Sequence, residues 1–180
     1  MQLEYPSPDL CDGVVRLRAW DERDLECVRL AATDPRIPRG TSVPAVYTET
    51  EGLAFLQRQR QRRENCEGLS LAIESVAASR AVGLLAALFR SQPGVVGLGY
   101  WVVPTERGRN YARKAIGLLS VWLLTGTPIR RVEAIVVPEN HPSTRSLEAC
   151  GFRKEGLLRS YLGGRDDVFV YSLVGCDLGV

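Results

Sequence analysis

The segment RGRNYARKA, at Arg107–Ala115, contains a glycine turn that leads into a helix. A strand-like run at Tyr100–Pro104 comes before it, and the helix is predicted over Ala112–Leu124. The first N–H groups of a helix have no partners within the helix, and its dipole adds partial positive charge at the same end. Such a turn suits a phosphate group. The segment therefore predicts a strand–turn–helix unit that holds a phosphorylated ligand. The alternative is a helix start with the same sequence pattern that faces only water.

Six strands are predicted around this unit. Three β-rich runs before it are separated by short polar turns, which is typical of an antiparallel meander. One β-branched run and a final hairpin come after it. These strands are Leu69–Val76, Ala81–Phe89, Val95–Val103, Arg131–Val137, Phe152–Tyr161 and Asp167–Val174.

The N-terminal part of the chain adds one strand and two helices. Alternating residues at Val14–Ala19 predict the strand, and acidic or hydroxyl side chains in front of apolar runs predict the helix starts. Leu53, Phe55 and Leu56 are expected on the inner side of the second helix. The segments are the strand Val14–Ala19, a helix capped by Asp21 and ending near Ala32, the loop Asp34–Tyr47, and a helix capped by Thr48 or Thr50 and ending near Glu64.

The predicted order of elements is β-α-α-β-β-β-α-β-α-β-β, counting a short helix at Pro142–Cys150. This order indicates an α/β (α+β) fold, in which about four helices flank a mixed, mostly antiparallel sheet of seven strands. A chain of 180 residues fits a single domain over 1–180, with its core at about 14–174.

Composition argues against several classes of protein. A net charge of +2 gives no bulk attraction to nucleic acid, and no apolar run is long enough to cross a membrane. Five cysteines without CxxC spacing, and no signal peptide, favour a reduced cytoplasmic protein. Because the chain has a single histidine, a histidine-based metal site is not expected. The phosphate-binding patterns GxxxxGK[ST] and strand-to-helix GxGxxG are absent, which disfavours ATP and NAD as ligands.

A second motif, VPENHPSTRSLEACGF at Val137–Phe152, follows the next predicted strand. Together the two segments resemble the GNAT superfamily of acyl-CoA-dependent N-acyltransferases, and more narrowly its RimJ/RimL-type branch. That branch reads Gly-Tyr-Trp, then Gly-x-Gly-Tyr-Ala, then Asn-x-x-Ser-x-x-x-Leu-Glu-x-x-Gly-Phe. The counterparts here are Gly99–Trp101, Gly108–Ala112 and Asn140–Phe152. The chain departs from the pattern at Asn110, where glycine is usual, and asparagine is the other residue that best tolerates left-handed backbone.

The resemblance implies a GNAT fold, in which the central strand and its neighbour splay apart in a V and acyl-CoA lies between them. Acetyl-CoA is the default donor, and succinyl-CoA or another acyl-CoA is an alternative. Backbone groups of Trp101, Val102 and Val103 are implied to pair with the pantetheine arm. The pyrophosphate is implied to contact the turn, whose residues are Arg107, Gly108, Arg109, Asn110, Tyr111, Ala112 and Arg113.

The implied reaction is direct attack of a neutral primary amine on the thioester. By resemblance, the N–H of Val102 or Val103 is the hydrogen-bond donor to the oxyanion. Asn140 is implied to contact the cofactor, and Ser143 is implied to donate a proton to the leaving thiolate. Purely structural alternatives are a helix cap for Asn140 and a local hydrogen bond for Ser143.

No carboxylate occurs on the central strand, so deprotonation of the amine through a water chain is expected. Glu74 is the alternative base, although a solvated strand residue is the simpler interpretation of it. The acceptor amine, on a small molecule or a protein N-terminus, stays open. A catalytically idle acyl-CoA sensor is the competing function. The resemblance also implies a homodimer, and the composition predicts neither nucleic-acid nor membrane partners.

Overall fold

One mixed sheet runs through the computed structural model, which describes residues 2–179. The strands are β1 (Leu10–Cys11), β2 (Val15–Arg18), β3 (Gly68–Ser75), β4 (Arg80–Phe89), β5 (Val95–Val102), β6 (Arg131–Val136), β7 (Arg153–Leu162) and β8 (Asp166–Val174). The α-helices are α1 (Leu25–Ala31), α2 (Arg36–Gly40), α3 (Glu49–Glu64), α4 (Tyr111–Gly126) and α5 (His141–Glu148). The strand order is β1-β2-β3-β4-β5-β6-β8-β7, and the predicted class of fold is confirmed.

Three details differ from the sequence-based prediction. The sheet has an eighth strand, because β1 pairs with β2 through Leu10 and Cys11, a run too short to show alternation. The predicted loop Asp34–Tyr47 contains α2, a five-residue helix that its proline and glycine concealed. Leu53 is 40% exposed, whereas Phe55 and Leu56 are buried as predicted.

Local capping explains why two helices begin where they do. The side chain of Asp21 accepts a hydrogen bond from the N–H of Arg23, and the N–H of Asp21 donates to the side chain of Asp24, which completes a capping box. The hydroxyl of Thr48 accepts the N–H of Glu51 at the start of α3. These caps confirm Asp21 and Thr48 as the helix starts.

The central strands β5 and β6 form the parallel pair of the sheet and separate after a few residues. Pairing extends only from Val95 to Gly97 on β5. Beyond Gly97 no strand within residues 2–179 pairs with that edge of β5, which continues to Val102. The predicted V is therefore present, and "the splay" below denotes the gap between β5 from Leu98 onward and β6.

Apolar side chains hold β5 from both faces of the sheet. On one face α4 packs Ile116 and Leu119 into the main core. On the other face Trp20, Phe55 and Trp101 form an aromatic cluster, with ring centroids 5.5 Å apart for Trp20 and Phe55. Because such packing leaves little freedom, the open edge of β5 is presented in a fixed position.

Candidate active site

The turn before α4 adopts left-handed backbone at two positions. Gly108 has φ +79°, and Asn110 has φ +61° and ψ 14°, as expected for an asparagine in place of glycine. The side chain of Asn110 does not cap the helix, and its carbonyl accepts the N–H of Lys114 at 3.0 Å. In the part of the chain that the structure describes, none of the N–H groups of residues 108–113 has a protein acceptor. The first turn of α4 also contains no acidic residue, so it can receive an anion.

Replacing Asn110 with glycine is expected to raise the free energy of unfolding by about 0.5 kcal/mol. Glycine removes the steric cost of left-handed backbone, and the greater freedom of glycine in the unfolded chain offsets part of the gain. Chemical denaturation measures the change. Asn65, with φ −80°, provides the matched control, because glycine gains nothing there and should destabilise. A loss of stability in Asn110→Gly would contradict the strain argument.

Side chains of the turn lie in different environments. Arg109 is exposed and pairs with Glu106 at 3.4 Å. The ring of Tyr111 is buried, with its hydroxyl 3.1 Å from Ser75 Oγ, so only the backbone of this predicted cofactor residue faces the turn. Ala112 is half-buried, and Arg113 is exposed. Arg107 points elsewhere, to Asp34 and to the carbonyl of Val102.

Strand register decides which backbone groups of β5 face the splay. The N–H of Val103 donates to the carbonyl of Val82 at 2.9 Å, and Leu84 lies opposite Trp101 in the same register. In an antiparallel pair, alternate residues bond to the partner strand. Trp101 and Val103 therefore bond toward β4, and Val102 points its N–H and carbonyl into the splay. The N–H of Val103 is therefore occupied within the sheet, which leaves Val102 as the better placed of the two predicted oxyanion donors. Pairing of Trp101, Val102 or Val103 with the pantetheine stays a prediction.

Two hydroxyl groups meet across the splay. Ser143, on the helix that follows β6, shares a hydrogen bond with the phenol of Tyr100 on β5. Burial raises the pKa of Tyr100 to about 12, against a smaller opposing effect of the Ser143 hydrogen bond. Ser143 therefore points across the splay and forms no local hydrogen bond through its hydroxyl. Tyr100 was not among the predicted catalytic or cofactor-binding residues, because its partner Ser143 lies 43 residues away in the sequence.

Asn140 serves as the N-cap of α5. Its Oδ1 accepts the N–H of Ser143 at 3.3 Å, and its carbonyl accepts the N–H groups of Ser143 and Thr144. The helix cap, which was the structural alternative for Asn140, is therefore present. A cofactor contact through its remaining amide donors stays a prediction.

Glu74 is buried, at 3% exposure, so the interpretation of it as a solvated residue is wrong. Its carboxylate forms ion pairs with Arg18, with Arg16 at 3.0 Å and with Arg23 at 3.6 Å. Arg18 is itself buried and holds Asp24 through two hydrogen bonds of 2.7 Å. Because β4 lies between β3 and β5, this cluster is structural and separate from the splay.

Replacing Glu74 with glutamine is expected to lower the free energy of unfolding by about 2 kcal/mol, since it removes the charge of one of the two buried carboxylates that bind Arg18, while Asp24 remains. Equilibrium denaturation measures this loss, and acyl transfer by the folded variant should stay close to wild type. Glu26→Gln is the matched control, because Glu26 pairs with Arg29 on the surface, where an ion pair contributes little. Equal stability of the two variants would show that the buried cluster is not structural. A loss of turnover by several orders of magnitude in folded Glu74→Gln would show instead that Glu74 is the general base.

A family model described as an acetyltransferase (GNAT) domain matches residues 15–153, which include the splay and both motifs. The chain belongs to the GNAT acetyltransferase family. Its sequence is similar to the uncharacterized N-acetyltransferase p20 of Bacillus licheniformis, with 38% identity over 80 residues, which are 43% of this chain and 45% of p20. It is also similar to the uncharacterized N-acetyltransferase YoaA of Bacillus subtilis (strain 168), with 23% identity over 88% of this chain and 92% of YoaA.

Solved structures of this GNAT family share its architecture. RimJ of Mycobacterium smegmatis, determined in complex with CoA-disulfide, superposes with a TM-score of 0.80 at 26% identity, over 93% of this chain and 85% of that one. The ribosomal-protein-S5-alanine acetyltransferase of Vibrio fischeri shows the same fold, with a TM-score of 0.72 at 17% identity over 97% and 96% of the two chains. The predicted family, its RimJ/RimL-type branch and the N-acetyltransferase class are confirmed.

Among the helices within residues 2–179, none combines the length and apolarity that crossing a membrane requires. Over the same residues, no three His, Cys, Asp or Glu side chains converge as a metal site would need.

Proposed function

We propose that this GNAT protein transfers an acetyl group from acetyl-CoA to a primary amine of a small molecule or of a protein N-terminus. The observation that carries the proposal is the row of N–H groups at residues 108–113, without protein acceptors, beside the open edge of β5. The turn offers hydrogen-bond donors for an anion, and β5 offers a strand edge that an extended amide-containing arm can join.

The residues present fit CoA. A Cβ added at Gly108 would meet no atom within 4 Å, so a phosphate has room to approach the backbone there. The backbone amides of residues 108–113 would hold the pyrophosphate, with Arg109 and Arg113 adding positive charge nearby. The pantetheine arm would run along the open edge of β5, where Val102 presents its N–H. Bound in this way, acetyl-CoA supplies an activated acyl thioester.

The chain contributes two kinds of group to the reaction. The N–H of Val102 faces the splay and can stabilise negative charge on the acyl oxygen, as backbone donors do in oxyanion holes. The hydroxyl of Ser143 is the proton donor for the leaving thiolate, and the phenol of Tyr100 supports it from the opposite side. Since β5 carries no carboxylate, the amine loses its proton to water, and positioning supplies much of the rate.

The acceptor is proposed to approach from the face of the sheet that carries Trp101. Ile37 and Val43, from the acceptor-side loop at residues 34–47, pack in the same buried cluster as Trp101 on this face. The tip of the β7–β8 hairpin carries the exposed side chains of Tyr161 and Leu162. The V. fischeri neighbour is an acetyltransferase for the alanine of a ribosomal protein, so a peptide with a free N-terminus belongs among the candidates.

Release of free CoA thiol from acetyl-CoA in the presence of an amine panel tests the proposal. The panel includes a peptide with N-terminal alanine, one with N-terminal serine, a polyamine and an amino acid amide. We expect saturable thiol release with at least one amine, and calorimetric binding of acetyl-CoA without any amine. Binding without release for every amine would favour the acyl-CoA sensor, and absence of binding would overturn both functions. Succinyl-CoA in a parallel series determines whether the acyl group is acetyl.

A further inference from the structure

We infer that Arg107 is a positioning residue that couples the acceptor-side loop to the open edge of β5, and does not bind phosphate through its side chain. This inference rests on the proposed function, because it concerns the strand edge that would face acetyl-CoA.

Arg107 reaches back from the turn to the end of β5. Its Nε donates to the carbonyl of Val102 at 3.1 Å. The other end of the same peptide group is also held, because the N–H of Val103 donates to Val82 at 2.9 Å. The Val102–Val103 peptide is thereby fixed from both sides. The position of Val102, whose own N–H faces the splay, is fixed as a result.

The second contact of Arg107 is with the loop on the other side of the sheet. Its Nη1 lies 2.7 Å from Oδ2 of Asp34, a carboxylate that is only 6% exposed. Arg36 binds the same carboxylate through Nε and Nη2, and its N–H donates to Oδ1. The guanidinium groups of Arg36 and Arg107 hold the pKa of Asp34 well below its usual range, so this carboxylate stays charged near neutral pH.

Asp34 also sets the position of the acceptor-side loop. It precedes α2, and its carbonyl accepts the N–H of Ile37 at 2.9 Å. Ile37 and Val43 are buried in the aromatic cluster that contains Trp101. A displacement of this loop would therefore move Asp34 away from Arg107 and release the carbonyl of Val102. Through Arg107, the position of this loop is therefore tied to the strand edge.

Both contacts require the shape of arginine. A guanidinium donates through Nε and Nη1 at the same time, in two directions fixed by its plane, whereas an ammonium is a single point charge. Lysine at this position would retain an ion pair with Asp34 and lose the contact with Val102.

The experiment compares Arg107→Met, Arg107→Lys and Asp34→Asn with wild type, using acetyl-CoA and the best amine of the panel. We expect kcat to fall about 100-fold in all three, as for a displacement of about 1 Å in a positioned reactive group. The calorimetric affinity for acetyl-CoA should change little. Hydrogen exchange at residues 102–103 and 36–43 should accelerate in Arg107→Met even without an acceptor, because both segments lose the same anchor.

Arg36→Met is the matched control, since Arg36 contacts the same carboxylate but is 79% exposed and does not touch Val102. It should retain near wild-type kcat. An equal loss in Arg36→Met would mean that only the fold of the loop matters, and it would overturn the inference. A fall in acetyl-CoA affinity as steep as the fall in kcat for Arg107→Met would make Arg107 a phosphate contact, with the same consequence. If Arg107→Met turns over as fast as the wild-type protein, the positioning role is overturned and the proposed function is unaffected. If the wild-type protein neither binds acetyl-CoA nor releases thiol, the proposed function itself is overturned.

Discussion

Replacement of Gly108 with valine is expected to weaken acetyl-CoA binding about a thousand-fold. The added branches would occupy the open space beside the N–H groups of residues 108–113, where the pyrophosphate is proposed to lie. A valine at φ +79° would also strain the turn and redirect those N–H groups. Loss of two hydrogen bonds to a charged phosphate, at about 2 kcal/mol each, corresponds to roughly that factor. Titration calorimetry with acetyl-CoA measures the change.

Gly13 provides the matched control for Gly108. It lies in the exposed turn between β1 and β2, has φ +83°, and also has no atom within 4 Å of an added Cβ. Gly13→Val should therefore lose a similar amount of stability, about 1–2 kcal/mol, and keep its affinity for acetyl-CoA. Undiminished acetyl-CoA binding by folded Gly108→Val would show that this turn does not hold the pyrophosphate.

Replacement of Ser143 with alanine is expected to lower kcat about a thousand-fold and to leave acetyl-CoA affinity nearly unchanged. A positioned proton donor contributes about 100-fold to 10,000-fold to the rate of proton transfer, and Ser143 is the hydroxyl placed across the splay. Steady-state kinetics with the active amine, together with calorimetry, separates the effect on turnover from the effect on binding. Ser146→Ala is the control on the same helix, because the Ser146 hydroxyl donates to the carbonyl of Pro142, one turn back.

Tyr100→Phe should reproduce part of the Ser143→Ala loss, and the double variant should lose less than the sum of the two single effects, because the two hydroxyls act as one unit. With a pKa of about 12, the phenol of Tyr100 stays protonated throughout the range of an ordinary assay. Titration of Tyr100 should therefore produce no downturn in the pH–rate profile below about pH 11. Full additivity of the two substitutions, or unchanged kcat in Ser143→Ala, would show that this pair takes no part in proton transfer.

Features that depend on neighbouring residues could be predicted from the sequence. The helix starts at Asp21 and Thr48, the left-handed conformation of Asn110 and the alternation of the meander strands are local, because each is determined within a few residues. The two motifs at Arg107–Ala115 and Val137–Phe152 also identified the family, and with it the splay.

Features that depend on pairing between distant segments could not be predicted. A shift of one residue in the register of β4 and β5 would exchange the roles of Val102 and Val103, and nothing near these residues specifies that register. Glu74 could not be recognised as buried, because its arginine partner Arg18 lies 56 residues away.

The sequence by itself therefore determined the family, the order of the elements and the turn that is proposed to hold the cofactor, since these follow from local patterns. Only the tertiary structure decided which backbone N–H faces the splay, which hydroxyl meets Ser143 and which carboxylate holds Arg107. Asp34 and Arg107 are 73 residues apart, and Tyr100 and Ser143 are 43 apart. Contacts over such separations follow from how the sheet and its helices pack together, which no short stretch of the chain encodes.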